Sequence, residues 1–182
     1  MKKIAVIVAG GSGSRMGGAV PKQFLLLKRK PLLWYSINNF LMAYDDMQVI
    51  VILPEEHLEK GEELIKMFDS TANITTTVGG NTRFDSVKNG LQLIKEPAII
   101  FVHDGVRCLP TAGLIKRCYK QALVKGSAIP AVAATDSIRI AEGEQSFVAD
   151  RNKVRIIQTP QTFQSEILLP AFEQTYNEKF TD

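Results

Sequence analysis

The sequence predicts an α/β fold with a Rossmann-like, mainly parallel twisted sheet and helices on both faces. Two observations support this prediction. Short apolar runs rich in β-branched residues alternate with longer segments of helical periodicity, which is the order that βαβ units produce. The apolar runs are also continuous, as is typical of strands buried on both faces. Right-handed crossovers place the loops after these strands at one edge, where ligands of such sheets bind.

Five apolar runs predict the strands of the sheet. The first begins at Ile4 and ends before Gly10, and Pro54 stops the second. The third is weaker because it is rich in threonine. The predicted strands cover residues 4–9, 49–53, 74–78, 98–102 and 127–132. We expect one shared cleft at the loops after Val8, Val78, Val102 and Val132.

Five further segments predict helices. Pro31 suits the first turn of the first helix, and Thr111 is a candidate N-cap of the fourth. Pro170 interrupts the last helix. The predicted helices cover residues 31–44, 55–68, 83–94, 111–124 and 165–176.

The alternation of strands and helices stops in residues 137–158. Polar and apolar residues alternate there, residues 142–144 indicate a turn, and residues 154–157 indicate a further strand. We therefore predict a projecting β-hairpin over residues 137–158, called the arm below. The arm belongs to a single predicted domain that spans residues 1–182.

Composition and charge exclude several classes of protein. The chain has 182 residues, 45% of them hydrophobic, which suffices for a core without disulfides or metals. The 22 Lys and Arg against 19 Asp and Glu give a net charge of +3 without a basic block, which argues against a nucleic-acid partner. Two cysteines are too few for a disulfide scaffold, and no apolar run has the length of a membrane span or a signal peptide. We expect a cytoplasmic protein without a membrane partner.

A glycine-rich loop from Gly10 to Met16 follows the first strand directly. Glycines let backbone N–H groups point at a ligand, and such a nest favours phosphate oxygens. Arg15 adds a guanidinium suited to phosphate, although the loop could also be a tight turn without a ligand. It is not a Walker sequence, and Met16 takes the place of the last glycine of the dinucleotide fingerprint.

Lys22 lies at the far end of the same loop, between Pro21 and Gln23. A lone lysine is commonly a solvated surface charge. Two cations that flank a phosphate nest are instead suited to phosphoryl or nucleotidyl transfer, because charge develops on the oxygens around phosphorus in these reactions.

The segment from Gly79 to Val87 follows the third predicted strand and opens a helix, so it belongs to the ligand edge. Ser86 and the backbone near Gly80 could contact a base or a ribose. Asn81 or Thr82 could equally serve only as the helix N-cap.

The segment from His103 to Arg107 follows the fourth predicted strand. Asp104 could hold a metal ion or a ribose hydroxyl, and Arg107 a second phosphate. A triphosphate needs a divalent cation, usually Mg²⁺ with few protein ligands. We interpret His103 as a hydrogen-bonded core histidine. Farther on, Arg151 beside Asp150 could be an ordinary surface pair of little energetic weight.

Six motifs occur in order along the chain: Ala9 to Met16, Pro21 to Gln23, Arg83 to Val87, Val102 to Asp104, Asp150-Arg151, and Thr159 to Gln161. In this combination the chain resembles the 2-C-methyl-D-erythritol 4-phosphate cytidylyltransferases of the non-mevalonate isoprenoid pathway. The resemblance covers essentially the whole chain. It implies transfer of CMP from CTP to a sugar-alcohol phosphate, with release of pyrophosphate and with Mg²⁺ as cofactor.

The resemblance also implies roles for individual residues. The implied catalytic residues are Arg15, Lys22 and Arg151. The implied nucleotide-binding residues are Ala9, Gly10, Gly11, Ser12, Gly13, Ser14, Arg15, Lys22, Gly80, Asn81, Arg83, Ser86 and Asp104. The implied substrate-binding residues are Asp104, Arg107, Ser137, Arg151 and Thr159, with Asp104 also as the metal ligand. The arm resembles the family's dimerisation arm, which implies a homodimer with Ser137 and Arg151 in the partner's active site.

The sequence departs from the family pattern at several positions. Gly105-Val106 replaces two alanines that are common in the family, Cys108 replaces a proline, and Ser137 replaces a threonine while keeping the hydroxyl. The family pattern also continues beyond the position of Asp182, with strand structure and a substrate-binding lysine. That lysine has no counterpart here, so either these 182 residues are a fragment or the sugar-phosphate site is incomplete.

Three alternative functions remain open at this point. A ribitol-5-phosphate cytidylyltransferase would share the fold, the glycine loop and the Thr159-to-Gln161 motif, although Arg83 to Val87 favours the erythritol enzyme. A dinucleotide-dependent dehydrogenase is disfavoured by Met16. A non-catalytic nucleotide-binding module is the third alternative.

Overall fold

The structure is a computed structural model that describes residues 1–10 and 20–177. Helices and strands alternate through most of this range. The strands are β1 (Lys2–Val8), β2 (Leu26–Leu27), β3 (Lys30–Pro31), β4 (Met47–Leu53), β5 (Asn73–Val78), β6 (Ala98–Asp104), β7 (Ser127–Ala128), β8 (Ala131–Ala133), β9 (Ile138–Glu142), β10 (Gln145–Ala149), β11 (Arg155–Ile157) and β12 (Gln161–Gln164). The helices are α1 (Leu32–Leu41), α2 (Leu58–Ile65), α3 (Arg83–Leu91), α4 (Ala112–Lys125) and α5 (Ser165–Ala171).

The central sheet has six strands in the order β5-β4-β1-β6-β12-β7. The first four run parallel to one another, and β12 runs antiparallel to both of its neighbours. Val8 of β1 is paired with Ile52 on one side and with Asp104 on the other. The carboxyl ends of β1, β4 and β6 therefore meet at one edge of the sheet, where a ligand site is expected.

Two hydrophobic cores cover the two faces of this sheet. Ile7 and Phe101 pack on one face with residues of α1, α2 and α4. Val6 and Ile100 pack on the other face with residues of α3 and α5. Because both faces of the central strands are buried, their sequences are continuous apolar runs. The mainly parallel sheet with helices on both faces confirms the predicted fold class.

One predicted strand was wrong, and one strand of the central sheet was missed. The predicted strand 127–132 is two short strands in different sheets, because Pro130 has no N–H for a ladder and the chain leaves the sheet there. Its end at Val132 therefore lies in the pair β8–β11 rather than at the edge of the central sheet. Strand β12 was not predicted, because a Gln-Thr-Phe-Gln sequence has no apolar run although Thr162 is fully buried.

The helices begin close to their predicted starts but several end earlier. The last turn tightens into bonds between residues three apart, such as Ala43 N–H to the Phe40 carbonyl and Ile94 N–H to the Leu91 carbonyl. Thr111 is the N-cap of α4, as predicted, and accepts a hydrogen bond from Leu114 N–H. Among residues 1–10 and 20–177, no helix has the length and apolar character that crossing a bilayer requires.

The arm is longer at its base than predicted. Strands β9 and β10 form an antiparallel hairpin around Gly143, whose φ of 61° suits the first position of a type II′ turn. Strands β8 and β11 continue the pairing toward the sheet. Together they make a two-stranded ribbon over residues 131–157, and Gln158 N–H closes its base with a 2.8 Å hydrogen bond to the Pro130 carbonyl.

Candidate active site

Ser86 connects the loops that follow β1 and β5. Its Oγ accepts a hydrogen bond from Gly80 N–H at 3.0 Å and donates to the Thr82 carbonyl at 2.9 Å. A Cβ on Gly79 would come within 3.0 Å of this oxygen, and one on Gly10 within 3.4 Å. Glycines at both positions thus let the two loops close on a buried serine. The predicted contact of Ser86 with nucleotide stays a prediction, and its hydroxyl already serves this loop.

A capping box fixes the start of α3. Thr82 Oγ1 accepts from Asp85 N–H at 3.0 Å, and the Asp85 carboxylate accepts from Thr82 N–H at 3.2 Å. The N-cap is therefore Thr82 and not Asn81, which is exposed. A side chain on Gly80 would collide with Asp85. The result is a rigid helix N-terminus at the carboxyl edge of the sheet.

Asp104 sits at the end of β6 and holds two guanidinium groups. Its Oδ1 lies 3.1 Å from Arg83 Nη2, and its Oδ2 lies 2.8 Å from Arg107 Nε. Burial raises the pKa of Asp104, but the hydrogen bond from Arg107 and the charge of Arg83 lower it by more, so its pKa lies below the ordinary value. The three side chains, called the Arg–Asp–Arg cluster below, carry a net charge of +1.

Arg107 is held at further points. Its Nη1 donates to Gln158 Oε1 at 3.0 Å, and its backbone carbonyl lies 2.9 Å from His103 Nε2. His103 Nδ1 in turn lies 2.8 Å from Thr159 Oγ1. Burial lowers the pKa of His103 to about 4, so the ring is neutral at pH 7. As predicted, His103 is a hydrogen-bonded core residue, and it connects the end of β6 to the segment before β12.

Gly105 and Ser36 fix the loop after β6. Gly105 N–H donates to the Val8 carbonyl at 2.8 Å, and Ser36 Oγ donates to the Gly105 carbonyl at 2.8 Å. A Cβ on Gly105 would lie 3.0 Å from both Ala9 Cβ and Leu33 Cδ1. The close approach of the loops after β1 and β6 explains why glycine fits this position in this chain.

Lys22 lies in a short 3-10 turn that is anchored beside the end of β1. The neighbouring Gln23 is 2% exposed, and its Nε2 donates to the Ala9 carbonyl at 2.9 Å. Lys22 itself is exposed. The predicted site residues Gly11, Ser12, Gly13, Ser14 and Arg15 lie outside the described residues.

The two arm residues of the predicted site lie apart from the Arg–Asp–Arg cluster. Ser137 is exposed, and Arg151 Nη1 donates to the Thr135 carbonyl at 2.9 Å within the same ribbon. Over residues 1–10 and 20–177, no hydrogen bond or ion pair joins either side chain to the cluster. Within one chain, the structure thus brings together Arg83, Asp104, Arg107 and Thr159 but not Ser137 or Arg151.

Two functional positions were missed from the sequence. Gln158 supports the Arg107 guanidinium, and Gln23 supports the loop after β1. Gln23 is the last residue of the Pro21-to-Gln23 motif and Gln158 directly precedes the Thr159-to-Gln161 motif, which was the available signal. A long polar side chain gives no sign of its partner until the fold places one within reach.

Comparisons with known proteins agree on one family. The family model described as 2-C-methyl-D-erythritol 4-phosphate cytidylyltransferase matches residues 3–182. A protein of that name from Porphyromonas gingivalis is 42% identical over 181 residues, covering 100% of this chain and 81% of the relative.

Solved structures show the same fold. The chain is similar to the bifunctional IspDF from Campylobacter jejuni, with a TM-score of 0.81 and 29% identity, covering 100% of this chain and 45% of that one. It also superposes on a 4-diphosphocytidyl-2C-methyl-D-erythritol synthase from Anaerococcus prevotii, with a TM-score of 0.83 and 22% identity over 98% of this chain and 79% of that one.

Proposed function

The chain belongs to the family of 2-C-methyl-D-erythritol 4-phosphate cytidylyltransferases, and we propose that it transfers CMP from CTP to 2-C-methyl-D-erythritol 4-phosphate and releases pyrophosphate. The Arg–Asp–Arg cluster is the observation that supports this function best. It fixes two phosphate-binding guanidinium groups at the carboxyl edge of the sheet, beside the loops after β1 and β5. A reaction between two phosphate-bearing substrates needs this kind of surface.

The chemistry requires positioning more than proton transfer. An oxygen of the sugar-alcohol phosphate attacks the α-phosphorus of CTP and forms a new P–O bond. The bond from the α-phosphorus to the bridging oxygen breaks, and its electron pair leaves with pyrophosphate. Because the nucleophile is already an anion, orientation and charge neutralisation suffice. His103 is buried and committed to two partners, so we assign it no role as a general base.

Lys22 and Arg15 are the cations that we place at the α-phosphate, where negative charge grows in the transition state. Gln23 supports this assignment for Lys22, because its hydrogen bond to the Ala9 carbonyl anchors the turn next to the glycine loop. We assign Arg83 to the nucleotide phosphates and Arg107 to the sugar phosphate. The ion pairs to Asp104 keep both guanidinium groups in place before the substrates arrive.

Asp104 is the residue that we propose for Mg²⁺. The described residues contain no group of three His, Cys, Asp or Glu side chains that could hold a metal ion. A single carboxylate such as that of Asp104 fits Mg²⁺, which is commonly held by one or two carboxylates together with substrate phosphates. Asp104 supplies one ionised and partly exposed carboxylate. When bound, Mg²⁺ would neutralise charge on the triphosphate.

We propose that the enzyme is a homodimer formed through the arm. The hairpin β9–β10 exposes several apolar side chains, and an isolated two-stranded hairpin is marginal in water, so it needs a surface to pack on. The exposed apolar residues are Ile140, Phe147 and Val148. A two-fold partner would supply that surface and would bring Ser137 and Arg151 to the opposite active site.

The comparisons do not favour the ribitol phosphate alternative, since the relatives from Porphyromonas gingivalis and Bacteroides thetaiotaomicron carry the methylerythritol name. A pyrophosphate-release assay tests the choice directly. CTP and Mg²⁺ are incubated with methylerythritol phosphate or ribitol phosphate, and ATP, GTP and UTP replace CTP in parallel. We expect turnover with CTP and methylerythritol phosphate. Faster turnover with ribitol phosphate or with another nucleotide would contradict the proposal.

We place this reaction in the cytoplasm.

A further inference from the structure

His103 joins two separate segments of the candidate active site. Its Nε2 lies 2.9 Å from the Arg107 carbonyl oxygen, and its Nδ1 lies 2.8 Å from Thr159 Oγ1. The side chain has 0% exposure, and its ring packs edge-on against Phe40 at 5.2 Å. Protein groups therefore satisfy both ring nitrogens of a residue that the reaction itself does not use.

The chemistry of the partners fixes the direction of these hydrogen bonds. A carbonyl oxygen only accepts, so Nε2 carries a proton and donates to Arg107. The two hydrogen-bond partners of this buried ring are a carbonyl and a hydroxyl, and the ring is neutral because burying a charge without an ionic partner is costly. Nδ1 then has only a lone pair, so the Thr159 hydroxyl must donate to it. The Thr159 oxygen in turn accepts from Asp104 N–H at 3.5 Å.

We propose that His103 is a positioning residue that orients the Arg107 main chain. Its Nδ1 also accepts the hydrogen bond of the Thr159 hydroxyl, which would otherwise be available to a substrate phosphate. The proposal rests on the proposed function, since the sugar phosphate is the ligand expected at Arg107 and Thr159. It changes the role implied by the family resemblance. The Thr159 hydroxyl is a support for His103 and not a phosphate donor.

The arrangement leaves one part of Arg107 available to a ligand. Its carbonyl is held by His103, its Nε by Asp104 and its Nη1 by Gln158. Within the residues that the structure describes, no hydrogen bond uses Nη2. Three anchors thus aim the Nη2 end of the guanidinium, and a shift of His103 would misplace it. Misplacement of about 1 Å can cost a hundredfold in rate.

The first test reads the tautomer of His103 in the unliganded protein. The sequence contains two histidines, so a His57→Gln variant leaves one imidazole to assign. We expect a pyrrole-type ¹⁵N resonance for Nε2 and a pyridine-type resonance for Nδ1 at pH 7. A protonated Nδ1 would overturn the proposal. This measurement needs no substrate, so it stands whether or not the enzyme uses methylerythritol phosphate.

The second test separates positioning from direct phosphate binding by steady-state kinetics with CTP, Mg²⁺ and methylerythritol phosphate. In a His103→Gln variant, the amide nitrogen reaches the place of Nε2 and keeps the donor to Arg107, but the acceptor for Thr159 is lost. We expect Thr159→Val to raise KM for the sugar phosphate about tenfold in the parent and less than about threefold in the His103→Gln background. The KM for CTP should stay unchanged.

Direct phosphate binding by Thr159 predicts a different result. If Thr159 donates directly to the phosphate, Thr159→Val costs the same factor in both backgrounds, and the proposal is wrong. Thr159→Ser keeps the hydroxyl and should restore parental KM. His57→Gln is the matched control and should leave both substrates' constants unchanged. A parent enzyme without turnover on methylerythritol phosphate would contradict the proposed function, while the tautomer measurement would still decide the orientation of His103.

Discussion

Replacing Asp104 by asparagine tests the Arg–Asp–Arg cluster with almost no change of shape. The Asp104→Asn variant loses the negative charge between two guanidinium groups and leaves two positive charges close together. Removing one partner costs about 0–1 kcal/mol for exposed ion pairs and about 3–5 kcal/mol for buried ones. The Asp104 side chain is 26% exposed, against 33% for Arg83 and 46% for Arg107. We therefore expect an intermediate loss of about 2 kcal/mol.

The assay is thermal unfolding followed by circular dichroism at pH 7 without nucleotide or added metal. At about 2–4 °C per kcal/mol for a chain of this size, the Tm should fall by about 4–8 °C. Glu96→Gln is the matched control, because Glu96 is 64% exposed and its partner Lys2, at 2.9 Å, is 43% exposed. Its Tm should fall by less than about 2 °C. Equal Tm values for the two variants would refute the reasoning.

Acidification should reduce the difference in Tm between the parent and Asp104→Asn. The pKa of Asp104 is lowered in the folded protein from the ordinary value of 3.8. Its contribution to stability is therefore fully present above that value and is lost as the pH falls through the lowered pKa. The difference in Tm between the parent and Asp104→Asn should stay constant from pH 5 to pH 8 and should shrink below about pH 4.

Three further predictions concern single residues. Lys22→Ala should reduce kcat about 10²–10³-fold with an unchanged Tm, because Lys22 is exposed and leaves no cavity; near-normal turnover would remove it from the chemistry. Arg151→Ala and Lys22→Ala homodimers should both be nearly inactive, whereas the purified heterodimer should regain about half the parental activity if Arg151 acts across the interface. The free energy of unfolding, measured in EDTA, should fall by about 2 kcal/mol from pH 7 to pH 5 in the parent but not in His103→Gln. The pKa of His103 is about 4 in the folded protein and 6.5 in the unfolded one. Between pH 7 and pH 5 the unfolded state therefore binds a proton that the folded state does not bind, and this favours unfolding.

The sequence predicted the parts of the fold in which burial leaves a clear pattern. Strands β1, β4 and β6 are apolar on both faces, so they were found within two residues of their ends. Strand β12 was missed because its buried Thr162 and Gln161 are polar, and only the neighbouring strands give them a place in the sheet. Local composition carries no record of such long-range pairing.

The sequence predicted which loops form the site but not which side chains contact one another. The rule that ligands bind beyond the carboxyl ends of parallel strands placed Arg83, Asp104 and Arg107 at one edge. Their mutual pairing depends on the angle at which α3 leaves its capping box and on the register of β1 with β6. Gln158 is separated from Arg107 by 51 residues, so only the folded chain shows that the two touch.

The hydrogen bond between Gln158 N–H and the Pro130 carbonyl closes the base of the ribbon, so the ribbon is a self-contained insertion in the fold. Residues 131–157 leave and re-enter the molecule at one closed point between two neighbouring strands, β7 and β12. A chain with a short turn in place of this ribbon should keep its sheet and its two cores but lose the surface through which we propose that two copies associate. Gln158 closes the base of the ribbon and also holds Arg107, so the proposed dimer contact of the arm would be coupled through one residue to the site where the sugar phosphate is expected.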